Sequence, residues 1–177
     1  VIGTRHEEMM ARSSEVNIDI TGKSAHAASY QEGCDALETA CRYLCDLYAM
    51  ERQIDPAEYR LLRFGVLRSG SIRNVVSDHA RLEGTMRACR DEIYDHMRDQ
   101  LDAIARRYAP AQFAFSFSEG YPALVNTPQI VDQALQAIPD MILLDEPQLI
   151  TEDFSWYLQH VPGMFMFLGT GPGIPLH

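Results

Sequence analysis

The sequence has no lysine or arginine after Arg107. From Ala111 to His177 it carries seven acids (Glu119, Asp132, Asp140, Asp145, Glu146, Glu152 and Asp153) and no basic side chain. With a net charge of -10, the chain offers little cationic surface to a nucleic-acid backbone or an anionic membrane, so neither is expected as a partner. No run approaches the roughly 18 consecutive apolar residues of a spanning helix, and residues 1–12 are too polar for a signal h-region. Cysteine is scarce, with four residues and no C-x-x-C pair, which speaks against a zinc ribbon or a thioredoxin-type redox site. Cys34, Cys41 and Cys45 recur at helical spacing with Leu37, Leu44 and Tyr48. Buried free thiols on one apolar face are the expectation, and they suit a reducing, cytoplasmic compartment.

What is present is enough for a core: 177 residues, 46% hydrophobic and 23% charged, bound the chain to about one or two domains. All fifteen bases lie between Arg5 and Arg107. Up to residue 110 they face eighteen acids, a net of -3, and the seven acids beyond give -7. Seven of the nine prolines follow residue 120, so two differently composed segments meet near 110–120.

Val16, Ile18 and Ile20 alternate with polar neighbours, the period of a half-buried strand ending at Gly22. The Cys34–Tyr48 stripe predicts an amphipathic helix that stops before Pro56. Leu62, Phe64 and Val66 alternate again, and Arg68–Ser71 reads as a loop. Residues from about Val75 to Ala88 read as a strand with a wet face carrying Arg81, Glu83, Thr85 and Arg87. Ile93, Met97, Leu101 and Ile104 predict a second helix, with Asp91 and Glu92 favoured at its start by the helix dipole. Phe113, Phe115 and Phe117 make a last strand; beside two apolar helices they read as core and not as a base-stacking platform. The order is strand, helix, strand, strand, helix, strand. That is the ferredoxin-like arrangement, an antiparallel sheet with both helices on one face and an edge suited to dimerisation. Beyond Tyr121, helices over 130–138 and 152–159 and short buried strands over 141–144 and 164–168 look like pieces of an α/β layer.

Five motifs carry a resemblance across nearly the whole chain. Gly22-Lys23-Ser24-Ala25-His26-Ala27-Ala28, Asn74-Val75-Val76, Leu82-Glu83-Gly84-Thr85-Met86-Arg87, Thr151-Glu152-Asp153-Phe154, and the closing Leu168-Gly169-Thr170-Gly171 to Pro175-Leu176-His177 occur in this order. They resemble the zinc-dependent aminoacylase and carboxypeptidase-G2-like amidohydrolases, in the branch of the hippurate, auxin-conjugate and N-acetyldiaminopimelate hydrolases. The resemblance implies an α+β chain in three parts. Residues 1–12 end a catalytic-domain segment and cross over, 13–118 form a ferredoxin-like lid that dimerises, and 119–177 supply the C-terminal part of an α/β zinc-peptidase domain. The family's aspartate- or cysteine-containing His motif, its Glu-Glu pair and a further His have no counterpart, and the chain starts at Val1 and stops in a Gly/Pro-rich loop. It therefore reads as a piece of a longer protein.

The same resemblance implies site roles. His26 would reach a partner's active site and donate a hydrogen bond to the oxyanion of the tetrahedral intermediate; an exposed turn histidine is the plain alternative. Arg87 and Asn74 would hold a substrate carboxylate, against the alternative of a solvated arginine paired with Glu83 or Asp78. His177 would be a metal ligand, while Glu152 and Asp153 would either line the substrate pocket or serve as helix-start acids. The implied metal is zinc, two divalent ions in all, with manganese or cobalt as alternatives. His79, His96 and His160 invite no role, and Glu7-Glu8 beside His6 is not followed by the apolar run expected beside a metal site. Two functions follow: hydrolysis of the amide bond of an N-acyl amino acid or small peptide by a homodimer, or a non-catalytic ferredoxin-like dimerisation or ligand-binding module.

Overall fold

The computed structural model describes residues 1–169 and Gly171. In chain order its elements are β1 (Ile2–Thr4), β2 (Glu7–Met10), β3 (Arg12–Thr21), α1 (Ala36–Gln53), β4 (Arg60–Ser69), β5 (His79–Ala88), α2 (Asp91–Ala105), β6 (Gln112–Phe117), β7 (Leu124–Asn126), α3 (Pro128–Ala137), β8 (Met141–Leu143), α4 (Ser155–Leu158) and β9 (Phe167–Leu168). Four of the strands form one antiparallel sheet in the order β4-β5-β3-β6. Strand β3 is central because its even positions bury Val16, Ile18 and Ile20 while its odd positions are polar. Strand β5 does the same with Ala80, Leu82 and Met86. Helices α1 and α2 cover that apolar face, and Phe113, Phe115 and Phe117 pack against the same core. This is the expected ferredoxin-like layer, with α1 crossing from β3 to β4 and α2 from β5 to β6.

The structure corrects the face that α1 presents. Its buried stripe is Ala36, Ala40, Tyr43, Leu47 and Met50, and Tyr43 donates its hydroxyl to Leu101 O at 2.9 Å. Cys41 and Cys45 are exposed and Cys34 is intermediate; Cys89 alone is buried. Small Ala36 and Ala40 let the helix approach the sheet closely. That turns the neighbouring cysteine flank outward, although both stripes have helical periodicity.

The outer edge of β4, the edge expected to be covered or paired, is covered in part. Glu51 Oε1 accepts from Leu62 N at 3.0 Å and the Tyr48 hydroxyl oxygen accepts from Phe64 N at 3.1 Å. Two edge amides that would invite strand pairing are thereby capped by α1. The register shifts between Phe64 and Val66, and from Gly65 to Ser69 no side-chain cap lies on the outer edge among the described residues.

The remaining strands form two small sheets, β8-β1-β9 and β2-β7. Neither β1 nor β2 was foreseen. Glu7 and Glu8 lead directly into Met9, Met10 and Ala11, all buried, because β2 packs with Leu124 of β7. The short strands expected to be buried are only partly so: Met141 is covered, but Ile142, Leu143 and Leu168 are exposed. The helix expected over 152–159 is confined to α4, with turns on either side. No helix among the described residues is long and apolar enough to cross a membrane.

Candidate functional site

The turn after β3 is built by backbone contacts. Gly22 N donates to Asp78 O at 2.8 Å, and Lys23 and Cys34 exchange N–H to O bonds of 2.9 and 2.8 Å. A Cβ on Gly22 would sit 2.1 Å from Cys34 O, so only glycine fits this approach. The turn then pairs with the β4–β5 loop: Ala27 N donates to Asn74 O at 2.9 Å, Val76 N donates to Ala25 O at 2.8 Å, and His26 forms an antiparallel bridge with Val75. His26 and Asn74 therefore lie side by side, both exposed.

His26 caps the 3-10 turn Ala27–Glu32, and its Nδ1 accepts from Ala28 N at 3.2 Å. An Nδ1 that accepts carries no proton, so the neutral ring holds its proton on Nε2. The imidazole is thus pre-set as a donor facing solvent.

Arg87 is at the other end of the sheet. It lies eight residues along β5 from His79, whose partner Thr21 closes the His26 end; at ~3.4 Å per residue that is roughly 27 Å. Arg87 Nη1 donates to Leu149 O at 2.8 Å and Nε lies 3.5 Å from Thr85 Oγ1. Neither ion pair expected of a solvated strand arginine forms. Glu83 instead binds Arg81 and Arg68, and the Arg81 hydrogen bond holds its carboxyl below the usual range.

The loop that Arg87 touches leads to Glu152. It is anchored by Ala11 N, which donates to Gln148 O and Ile150 O, and by Gln148 N, which donates to Met9 O. Glu152 is half-buried, and its carbonyl accepts from Ser155 N and from Ser155 Oγ at 2.7 Å, which starts α4. Arg87 and Glu152 thus belong to one neighbourhood, His26 and Asn74 to another. Sequence reasoning missed that Val75 stands beside His26; its only signal was a large apolar residue in a loop otherwise rich in serine.

A metal centre is not assembled by these residues: among the described residues no group of three or more His, Cys, Asp or Glu could hold an ion. His177 lies outside the described residues. The buried thiol of Cys89, pushed up to about 12 by burial, is unsuited to act as a thiolate ligand or nucleophile.

Comparison with known proteins gives the family of the fold. The family model described as the M20 peptidase dimerisation domain matches residues 12–112, which run from β3 through α2 to the first residue of β6. An N-acetyldiaminopimelate deacetylase of Lacticaseibacillus casei is 31% identical, the alignment covering 99% of this chain and 49% of that protein. Thermostable carboxypeptidase 2 of Saccharolobus solfataricus is 30% identical over 96% of this chain and 45% of its own length. The chain spans about half the length of the curated relatives it matches. The fold is shared with the Bacillus subtilis YXEP protein, described as a dinuclear metal binding peptidase from the M20 family (TM-score 0.72, 24% identity, 93% of this chain and 43% of that one). It is shared too with aminopeptidase PepT of Bacillus cereus (TM-score 0.71, 16% identity, 92% and 44%). A chain matched over more than half its length by this model, and aligned almost throughout with deacetylases and carboxypeptidases, belongs to the M20 peptidase family.

Proposed function

We propose that the chain is the lid and C-terminal catalytic segment of a metal-dependent amidohydrolase that acts as a homodimer on N-acyl amino acids or small peptides. The observation that carries this reading is the separation of His26 and Asn74 from Arg87. The amide carbon and the carboxylate of an N-acyl amino acid are a few bonds apart, whereas roughly 27 Å of β5 separates Arg87 from His79, at the end of the sheet beyond which the His26 and Asn74 loops lie. One chain cannot present both to one substrate molecule. Two chains can, if His26 and Asn74 of one protomer meet Arg87 of the other.

The free stretch of the β4 edge supports the same arrangement. Gly65–Ser69 is its uncapped part and lies at the His26 end, since Ser69 pairs with Ala80 and the following loop holds Asn74. Leu37, exposed on α1, and Leu67 add apolar surface there. Pairing two such edges about a twofold axis would bring each His26 turn towards the partner.

In the assembled site, attack of water on the acyl carbonyl develops an oxyanion. Nε2–H of the incoming His26 donates to it, and a donor of this kind is worth about 3 kcal/mol in the transition state. The Asn74 side chain supplies a further donor, and Arg87 grips the substrate carboxylate through the N–H groups that Leu149 leaves free. Glu152 lines the pocket beside it. Zinc, with manganese or cobalt as alternatives, is the proposed metal and His177 a proposed ligand. The described residues do not by themselves form the metal centre. The four free thiols suit a cytoplasmic setting.

The reading is tested in a chain that includes the remaining half of the relatives' length. His26→Ala and Arg87→Ala are each expected to lower kcat/KM on N-acyl amino acids by at least tenfold. Unchanged kcat/KM in both variants would overturn the roles given to His26 and Arg87, and no hydrolysis by the complete unmutated protein would favour the non-catalytic dimerisation or ligand-binding module.

A further inference from the structure

Where β1 turns into β2, Glu7 adopts a φ of 58°, the left-handed conformation that side chains rarely take. Such a backbone persists only where its surroundings over-determine it. Here both flanks are held. Arg5 Nε donates to Glu8 O at 2.9 Å, and His6 Nε2 lies 2.9 Å from Asp132 Oδ1 on α3.

The same guanidinium crosses to the segment that follows β8. Arg5 Nη1 donates to Leu144 O at 3.3 Å and to Asp145 O at 2.6 Å. A planar fork whose donors diverge in fixed directions can hold two stretches of backbone in one relative position. Farther along, β2 and this segment are joined main chain to main chain. Gln148 N donates to Met9 O, and Ala11 N donates to Gln148 O and Ile150 O. Between those two carbonyls lies that of Leu149, which accepts from Arg87 Nη1 at 2.8 Å. The segment over 144–150 thus has one guanidinium at each end, Arg5 where it begins and Arg87 where it meets the four-stranded sheet.

We infer that Arg5 is a positioning residue for binding of the substrate carboxylate: it sets the segment whose Leu149 carbonyl aims the Arg87 fork. The inference rests on the carboxylate role proposed for Arg87. Arg5 touches no substrate and acts through the backbone it fixes. Without its bonds the turn at Glu7 relaxes, the 144–150 segment shifts against β2, and Arg87 loses the alignment of its acceptor. A misaimed guanidinium holds a carboxylate through one N–H group instead of two. Misplacement of a binding group by about 1 Å can cost roughly a hundredfold in rate.

The test compares, on the complete enzyme, kcat/KM for an N-acyl amino acid with that for the same compound bearing a carboxamide in place of the carboxylate. Arg5→Ala is expected to lower this acid-to-amide ratio about tenfold and to leave the amide value within about twofold. Arg5→Lys, which lacks the planar fork, should lower the ratio in the same direction, and it carries the test if the alanine variant does not fold. In an Arg87→Ala background, Arg5→Ala should leave the ratio where Arg87→Ala puts it. Equal loss on both substrates would make Arg5 a fold-stabilising residue only and overturn the positioning role. An unchanged ratio in the Arg5 variants, with Arg87→Ala still lowering it, would overturn that role and leave the carboxylate reading standing. If Arg87→Ala itself leaves the ratio unchanged, the carboxylate reading fails and the positioning role with it.

Discussion

Arg87 donates Nη1 to the carbonyl oxygen of Leu149 at 2.8 Å, tying the last outward residue of β5 to the loop that leads to Glu152. One arm of the fork is thus anchored while the rest is available. Arg87→Lys keeps the charge and loses the planar fork, so KM for the N-acyl amino acid is expected to rise about 10- to 100-fold with a smaller change in kcat. Steady-state kinetics on the lysine and alanine variants check this. A fall in kcat alone would place Arg87 outside carboxylate binding.

The capped edge of β4 has a stability consequence. Glu51 is 5% exposed and holds both Leu62 N and the guanidinium of Arg63, with Oε2 2.5 Å from Nη1. Glu51→Ala leaves a buried amide without an acceptor, a cost of about 1–3 kcal/mol. Denaturant unfolding should show that loss, and light scattering should show greater self-association of the variant through the bared edge.

The shared core is tested at Leu82, which is fully buried between α1, α2 and the sheet. Leu82→Ala is expected to cost about 2–5 kcal/mol, read from the denaturation midpoint at constant m-value.

Cys89 and Cys45 are expected to differ in thiol chemistry. Burial, reinforced by Glu8, raises the Cys89 thiol to about 12, and the residue is 4% exposed, whereas Cys45 is exposed. Between pH 7 and 9 a thiol-specific reagent should label Cys45 in the native protein and Cys89 only after unfolding. Because the folded pKa lies above the unfolded value of about 8.5, the stability due to the neutral Cys89 thiol is complete below that value. It declines as pH rises towards 12, and Cys89→Ala should flatten that decline in alkaline melting curves.

The ferredoxin-like layer was legible because β3, β5 and α2 each show one dominant period, and the register follows from Ile18 facing Leu82 and Phe115. The rotation of α1 was not legible. Alanine and cysteine stripes compete on one helix, and only packing against the sheet decides that Ala36 and Ala40 win. Strands β1 and β2 are too short to show a period, and their partners β7, β8 and β9 are more than a hundred residues away. At the site, the motifs marked His26, Asn74 and Arg87. They did not reveal that Asn74 keeps company with His26 and stands a sheet's length from Arg87, since sequence spacing carries no strand direction.

That division of the site between two chains is most directly tested by mixing variants of the complete dimer that are each low in kcat/KM. After subunit exchange between His26→Ala and Arg87→Ala proteins, half the dimers are mixed, and each mixed dimer holds one site with both residues intact. Recovery to about a quarter of wild-type kcat/KM is the expected result. A mixture of His26→Ala with Asn74→Ala, whose lesions fall in the same neighbourhood, should recover none. Restoration in the second mixture, or its absence in the first despite verified exchange, would contradict a site shared between protomers.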